Sequence, residues 1–457
     1  MATLPKRLLE SPAGFPDMGP AEAIVQARVL DIIRKHYERA GYAPLETPLV
    51  ERSQILTAKA GGETQKQIYA LRLLNPAEGG SDEKDLALRF DLTVPFARFA
   101  AANYGKGKIL FPLRRYAIGP VVRGERPKKG RYRQFIQADI DVIGDGSLSI
   151  YHDSEMVGIV AGIFEELAVG PFTLRLNNRK VLVGFLRSLG CDSEDKVKEA
   201  LASVDDMEKV GHDATVERLV RNGLEENGAR EILQLLTEKR STNEALAMIK
   251  SKQFDASYQE GVAELEALVR DVRQLGVSED QFRVDLSLAR GLDYYTGTVY
   301  EGYLHALPGL TVVAGGRFDN LAAHFIDRHL PGVGISIGVS RLVSLLIDAK
   351  LMSTNVSTVA PVLITTALDL AGHSGLYLDQ ARQLRSAGIA TEIYLEQHQK
   401  NNLGKQMQFA HRRGFRIVLI TGEDELKNRV VAVRDMKAGE QHVVSQEMLV
   451  ETVKSML

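Results

Sequence analysis

Apolar and polar positions follow two rhythms along this chain, and the changes between them outline its organisation. Residues 20–40 carry Ile24, Ala27, Leu30, Ile33 and Tyr37 at helical spacing, which predicts an amphipathic helix opened by Pro20 and ended at Gly41. The extended segment YAPLETPLVE comes next. Strand-like apolar runs then recur at 86–92, 108–122, 134–143, 172–176, 282–288, 296–303 and 311–314. Turns rather than helices separate most of them. That spacing predicts one large mixed or antiparallel sheet instead of repeated βαβ units.

Residues 185–275 are helical in rhythm, dense in charge and nearly free of strand pattern. Such a block between two strand-rich halves reads as an inserted helical domain with solvated charged faces. After a Ser/Thr-containing linker at 350–359 the chain turns to α/β alternation. VLITT, a helix from Gly375 to Gly388, ATEIYL, a helix from Leu403 to Gly414, RIVLITG, VVAVRDM and a last helix follow in order. This predicts a small doubly wound domain. The expected division is a strand-rich domain in two parts, 1–184 and 279–350, an insertion at 185–278, and a final domain at 360–457.

Composition narrows the possibilities mainly by exclusion. A chain of 457 residues holds roughly two to four domains and a sizeable core. With 25% charged and 44% hydrophobic residues and a net charge of −2, it has no global basic footprint. Any RNA contact is therefore local. Cys191 is the only cysteine, which excludes an intrachain disulfide and a Cys-based zinc cluster. No apolar run approaches about 18 residues and residues 1–19 lack a signal-peptide core, so a cytoplasmic protein without a membrane partner is expected. The histidines show no HxxxH or HExxH spacing, and no protein-built metal site is expected.

Two segments carry chemistry. RRYAIGPVVRGERPKKGRYR at 114–133 has eight Lys/Arg against one acidic residue, Glu125, and reads as a focused positive patch. It also has a hairpin's grammar, with a strand ending in Arg123 and Glu125, a Pro127–Gly130 turn and a return strand from Arg131. Guanidinium groups facing one another there suit a polyanion, because their forks fit phosphate oxygens bidentately. A solvated basic hairpin is the plainer alternative. The second segment, RGLDYYTGTVYE at 290–301, places Arg290 and the adjacent Tyr294 and Tyr295 in what reads as a strand. A core strand with an exposed arginine is its plainer alternative.

The 290–301 run resembles the histidine-recognition motif of histidyl-tRNA synthetases. Arg123-x-Glu125 followed by Gly130-Arg131-Tyr132-Arg133-Gln134-Phe135 is similar to motif 2 of class II aminoacyl-tRNA synthetases in its histidine-specific form. Gly41-Tyr42-x-x-Leu45-x-x-Pro48-Leu49 is similar to motif 1, and Gly334 through Leu342 to motif 3. Two positions depart from the family pattern. Ser340 precedes Arg341 where many members carry Glu, and GGRFD has Phe318 where many carry Tyr.

The resemblance implies an α+β class II catalytic domain on a mostly antiparallel sheet, with a helical insertion and a C-terminal α/β anticodon-binding domain. It implies activation of L-histidine with ATP and transfer to histidine tRNA by a homodimer, with Mg2+ accompanying the ATP. By the same resemblance Arg123 binds the α-phosphate and the amino-acid carboxylate, and Glu125 the adenine amino group. Arg131 grips the γ-phosphate, Phe135 stacks on adenine and Arg341 clamps the ATP tail. Arg290 stands where other class II enzymes place a metal ion. Asp141 and Tyr295 match the imidazole-reading pair, Asp91, Thr93 and Gln137 surround the α-amino group, and Tyr294 completes the histidine set. Arg126 matches the residue that reaches the tRNA acceptor end, and Lys128 stands where a glutamine is common.

The residues fit this chemistry on their own terms. Attack of a carboxylate on the α-phosphorus of ATP needs no general base, only positioning and charge neutralisation. Arg123, Arg290 and Arg341 come from three separated segments, and no Ser-His-Asp or Cys-His arrangement is legible. Residues 360–457 carry 12 Lys/Arg against 11 Asp/Glu, with a modest basic cluster at Lys405, His411, Arg412 and Arg413. The main rival is the non-catalytic regulatory paralogue of an ATP phosphoribosyltransferase, which as a rule lacks the tRNA-binding tail and the full arginine set. A stand-alone RNA-binding protein fits the near-neutral final domain poorly.

Overall fold

The structure, a computed structural model, describes residues 5–58, 65–74, 85–289, 294–307, 309–395 and 402–457. It divides into two compact units, Met1–Asp17 with Val29–Leu351 and Met18–Arg28 with Met352–Leu457. The first unit holds β1 (Ala43–Pro44), β2 (Val50–Arg52), β3 (Leu86–Leu88), β4 (Leu113–Val122) and β5 (Gln134–Ile143). It continues with β6 (Phe172–Asn178), β7 (Phe282–Val284), β8 (Thr298–Leu304), β9 (Thr311–Phe318) and β10 (Gly332–Gly338). Eight of these form one sheet in the order β1-β4-β5-β10-β9-β8-β6-β7, and β2 pairs with β3 apart from it. The outer pairs β1/β4 and β6/β7 are parallel, and every pairing between them is antiparallel. The chain thus adopts the α+β class and the mostly antiparallel sheet that the sequence predicts.

β4 and β5 form the longest ladder, in register from Leu113↔Ile143 to Val122↔Gln134. Beyond the strands the chain narrows to a Lys128↔Arg131 bridge, where the two residues exchange both backbone hydrogen bonds at 3.0 and 2.9 Å. Gly130 supplies the positive φ of +67° that this tight tip requires. The regular strands therefore stop short of the predicted hairpin turn. Along β5 the two-residue period sends Ala138, Ile140 and Val142 to one face and Gln137, Asp139 and Asp141 to the other. The apolar face packs under helices, and Tyr37 of the helix Pro20–Arg39 donates from its hydroxyl to the Ala138 carbonyl at 2.9 Å.

Several local expectations are corrected. The first helix buries Val25, Val29, Ile33 and Tyr37, a stripe of four-residue steps, and leaves Ala27 exposed. The 86–92 run is a strand only over Leu86–Leu88, after which the chain turns into the helix Thr93–Asn103. The Asp91 carboxylate accepts from Val94 N at 3.1 Å and caps that first turn. The helix Tyr151–Glu166, hidden in an apolar stretch, and β10 were not anticipated. The 282–288 run is a strand only over Phe282–Val284.

Residues 179–274 contain a succession of helices, from Arg179–Ser188 to Ala256–Gln274, with a Ser241/Glu244 capping box on the helix Thr242–Lys250. In the second unit, β11 (Val362–Ile364), β12 (Thr391–Ile393), β13 (Ile417–Ile420), β14 (Val430–Asp435) and β15 (Gln441–Ser445) form a sheet ordered β12-β11-β13-β14-β15. The first three are parallel, as a doubly wound pattern requires, but β14 and β15 add an antiparallel edge. β15 escaped the sequence reading because four of its five residues are exposed, which leaves little apolar pattern.

One buried ion pair ties the sheet to its helical cover. Arg317 on β9 reaches Asp153 of the helix Tyr151–Glu166 at 2.6 and 3.2 Å, and also donates to the Leu148 and Ser149 carbonyls. Breaking a buried pair from one side strands the other charge. Arg317→Met should therefore lower stability by about 3–5 kcal/mol, read as a lower urea midpoint. An unchanged midpoint would show that the pair carries no such weight.

Candidate active site

Cross-strand registers assemble one concave patch at the middle of the large sheet. One row runs Arg115–Asp141–Gly334–Gly316–Val299 across β4, β5, β10, β9 and β8. The next runs Ala117–Asp139–Ser336–Ala314–Glu301. Small residues at the centre of each row leave a hollow lined by Thr93, Asp139, Asp141, Tyr294, Tyr295 and Phe318, among others. Gly334 is required there, since a Cβ on it would lie 2.1 Å from the Asp141 carboxylate. A Cβ on Gly316 would strike the Thr298 carbonyl at 2.6 Å and the Tyr295 ring at 2.9 Å. The hollow is thus written into the sheet as missing side chains.

Its polar groups are arranged around Asp141. Arg115, directly opposite on β4, pairs with it at 2.7 Å, both being almost wholly buried. The same guanidinium donates to the Leu92 carbonyl at 2.9 Å and lies over the Phe96 ring at 4.4 Å. Thr93 approaches the other Asp141 oxygen at 3.4 Å. Burial pushes the Asp141 carboxyl up while Arg115 opposes that push. Asp91 accepts from the Tyr294 hydroxyl at 3.3 Å, and burial lifts its carboxyl to about 6. Asp139, on the same face as Asp141, is pushed up to about 7 by burial and by the neighbouring Asp141 charge. Gln137 donates to Ser336 Oγ at 2.6 Å. Among the described residues, Gln137 Oε1 and Asp139 Oδ1 are buried acceptors without a hydrogen-bond partner.

Basic groups gather where the hairpin meets the helix Val339–Asp348. Arg123 donates to the Phe90 carbonyl at 2.9 Å and lies 5.2 Å from the Phe135 ring centre. Arg131 is closely paired with Glu125. Burial pushes the Glu125 carboxyl up, but Arg131, Arg123 and Arg341 together hold it below its ordinary value. Arg341 is fixed by the Gly130 and Thr311 carbonyls at 2.9 and 2.8 Å. Burial, then repulsion from Arg131 and Arg123, lowers its pKa. Arg126 and Lys128 lie exposed at the hairpin tip. Arg290 lies outside the described residues.

The basic run 114–133 is not one patch. Strand alternation sends Arg114 to Glu155, at 2.9 Å, and buries Arg115 on the other face against Asp141. Arg115, Asp139 and Ser336 were missed as site residues. QADIDVIG did contain a signal, because three polar side chains spaced by two on an otherwise apolar strand share one buried face. Of the departures, Ser340 accepts from Ile136 N at 2.9 Å and so ties the helix Val339–Asp348 to β5. Phe318 packs edge-on to Tyr294 at 6.0 Å in the core beside the hollow. In the second unit Arg413 pairs with Glu392 at 3.3 Å and lies over Phe409, while His411 and Arg412 are exposed.

The mostly antiparallel sheet thus brings converging arginines beside a small-residue hollow. Residues 14–342 match the family profile described as histidyl-tRNA synthetase, and residues 359–456 match an anticodon binding domain. Histidine–tRNA ligases of Clostridium tetani and Stenotrophomonas maltophilia are 42% and 41% identical over 97% of this chain and 97% of their own. A histidyl-tRNA synthetase crystal structure from a Nostoc species superposes with a TM-score of 0.85 at 36% identity, covering 98% of this chain and 99% of that one. The chain belongs to the histidyl-tRNA synthetase family.

The buried acids make a pH prediction. Asp91 and Asp139 have folded-state values raised above the unfolded ~3.9, so their contribution to stability is present below that value. It is lost as pH rises through about 6 and about 7 respectively. For the unliganded chain, Asp139→Asn should match wild-type stability near pH 4 and exceed it at pH 8 by on the order of a few kcal/mol. Urea unfolding at both pH values checks this, and a pH-independent difference would refute it.

Proposed function

We propose that this chain activates L-histidine with ATP to histidyl-adenylate and transfers the histidyl group to the 3′ end of histidine tRNA. The observation that carries this reading is the junction of two chemistries on one sheet. An acid-lined hollow adjoins a cluster of arginines suited to a triphosphate. Family membership and the anticodon-binding profile over residues 359–456 support it over a regulatory, non-catalytic role.

The roles are those that the family resemblance implies, and the charges present suit them. Arg123, Arg131 and Arg341 neutralise ATP, with Arg123 also meeting the histidine carboxylate, and Phe135 offers a face to adenine while Glu125 takes its amino group. Charge spread over the transferred phosphoryl is then stabilised without a general base. Arg123 and Arg290 are the catalytic arginines. Asp141 and Tyr295 read the imidazole, and Asp91, Thr93 and Gln137 hold the α-amino group beside Tyr294. A pocket whose polar groups are buried rejects side chains that leave them unpaired.

Mg2+ enters with the β- and γ-phosphates as part of the substrate. Arg126 and Lys128 at the hairpin tip meet the tRNA acceptor end. Residues 1–184 and 279–350 form the catalytic domain, 185–278 the insertion and 360–457 the anticodon-binding domain of a cytoplasmic homodimer. No described helix is long and apolar enough to cross a membrane.

Histidine-dependent pyrophosphate–ATP exchange tests the reading. Arg123→Ala and Arg290→Ala should each cut exchange by at least roughly 100-fold, as loss of one transition-state donor does. Asp141→Asn should weaken histidine by roughly 30- to 1,000-fold while ATP affinity barely changes. Exchange by the wild-type chain with another amino acid but not with histidine would overturn the assignment. A chain ending near Val359 should keep exchange, provided it remains folded, yet charge tRNA poorly.

A further inference from the structure

Resting on the histidine-activating reading, we propose that Asp139 is a substrate-binding residue that supplies a second anionic partner, besides Asp91, to the α-ammonium group of the bound amino acid. Asp139 belongs to none of the roles assigned above. It lines the hollow on the same face of β5 as Gln137 and Asp141, one alternation step from each. It is 2% exposed.

Two observations point to a ligand and to its class. Asp139 Oδ1 and Gln137 Oε1 are both buried acceptors without a partner among the described residues, and native cores rarely leave such atoms unpaired. Ser336 stands opposite Asp139 in the register and takes the Gln137 amide at 2.6 Å, so it holds the two side chains side by side. Adjacent vacant acceptors, one of them a carboxylate, fit a cation with several N–H donors. The α-ammonium group has three. Asp141 is also paired with Arg115, and Asp91, placed above at the same ammonium group, also accepts from Val94 N and Tyr294. Asp139 has no arginine of its own.

The charges facing it are Asp141 on β5, Arg115 on β4, and Asp91 and Arg89 from the segment before the helix Thr93–Asn103. Tyr37, Tyr294 and Tyr295 stand near it and stay protonated, since burial raises all three. Without ligand, burial and Asp141 hold the Asp139 carboxyl near 7, so much of it is neutral at physiological pH. An ammonium group beside it favours the ionised form. Binding of the amino acid therefore expels a proton from Asp139, and affinity rises with pH through that range.

The test compares L-histidine with 3-(imidazol-4-yl)propionate, which keeps ring and carboxylate but lacks the ammonium. Both are titrated into the full-length wild-type chain and Asp139→Asn, by calorimetry at pH 6 and pH 8. Asp139→Asn should weaken histidine about 10- to 100-fold at pH 8 and leave the deamino analogue within roughly threefold. The part of the histidine pH dependence that Asp139 supplies should vanish in the variant. The variant's thermal midpoint at pH 8 should equal or exceed that of the wild type, so a lowered midpoint would make the loss structural and overturn the proposal. Equal weakening of both ligands would assign Asp139 to the ring instead, and unchanged histidine affinity would remove it from the site. In either case wild-type exchange with histidine leaves the broader reading standing, whereas its absence would fail that reading instead.

Discussion

The buried pairing of Arg115 with Asp141 is the constraint around which the first unit is arranged. A guanidinium and a carboxylate this deeply enclosed persist only when each balances the other's charge. Their meeting requires the β4–β5 register to be held within a residue, because a slip of one would turn one of the two onto the opposite face. It also requires glycine at 334 on the neighbouring strand. Sheet register, hollow and electrostatics are therefore one commitment, and a change in any of them disturbs the other two.

The large elements were legible because their patterns are strong. β5 is an apolar run whose ends match the reading residue for residue, and the first helix is bounded by Pro20 and Gly41. Expectations weakened where tertiary context decides. RFDL reads as strand, but Asp91 hydrogen-bonds the backbone of Val94 and starts a helix instead. β10 is rich in glycine and serine, so it lacks the apolar weight of a strand, although its small residues shape the hollow.

The candidate site was legible by likeness of motif more than by local chemistry. Arg123, Glu125, Arg131 and Arg341 stand out as charges near a turn, and the structure brings them within electrostatic reach of one another. Arg115 and Asp139 did not stand out. An arginine inside a basic run looks solvated, and a single aspartate in a strand looks like an edge residue. Only the cross-strand register, which no single segment contains, reveals that both are interior.

The Glu125–Arg131 pair at the base of the hairpin tip has a consequence for selectivity. A phosphate arriving at Arg131 does not meet an idle cation; it competes with a carboxylate already in place. Displacing that carboxylate leaves it without its closest partner unless the newcomer offers donors in return. A bare polyanion thus trades one ion pair for another and gains little. A molecule that couples phosphates to an N–H-bearing base can satisfy both ends of the broken pair at once. If Arg131 and Glu125 take the nucleotide roles proposed above, discrimination against simple anions comes from an exchange of partners, with no steric barrier needed.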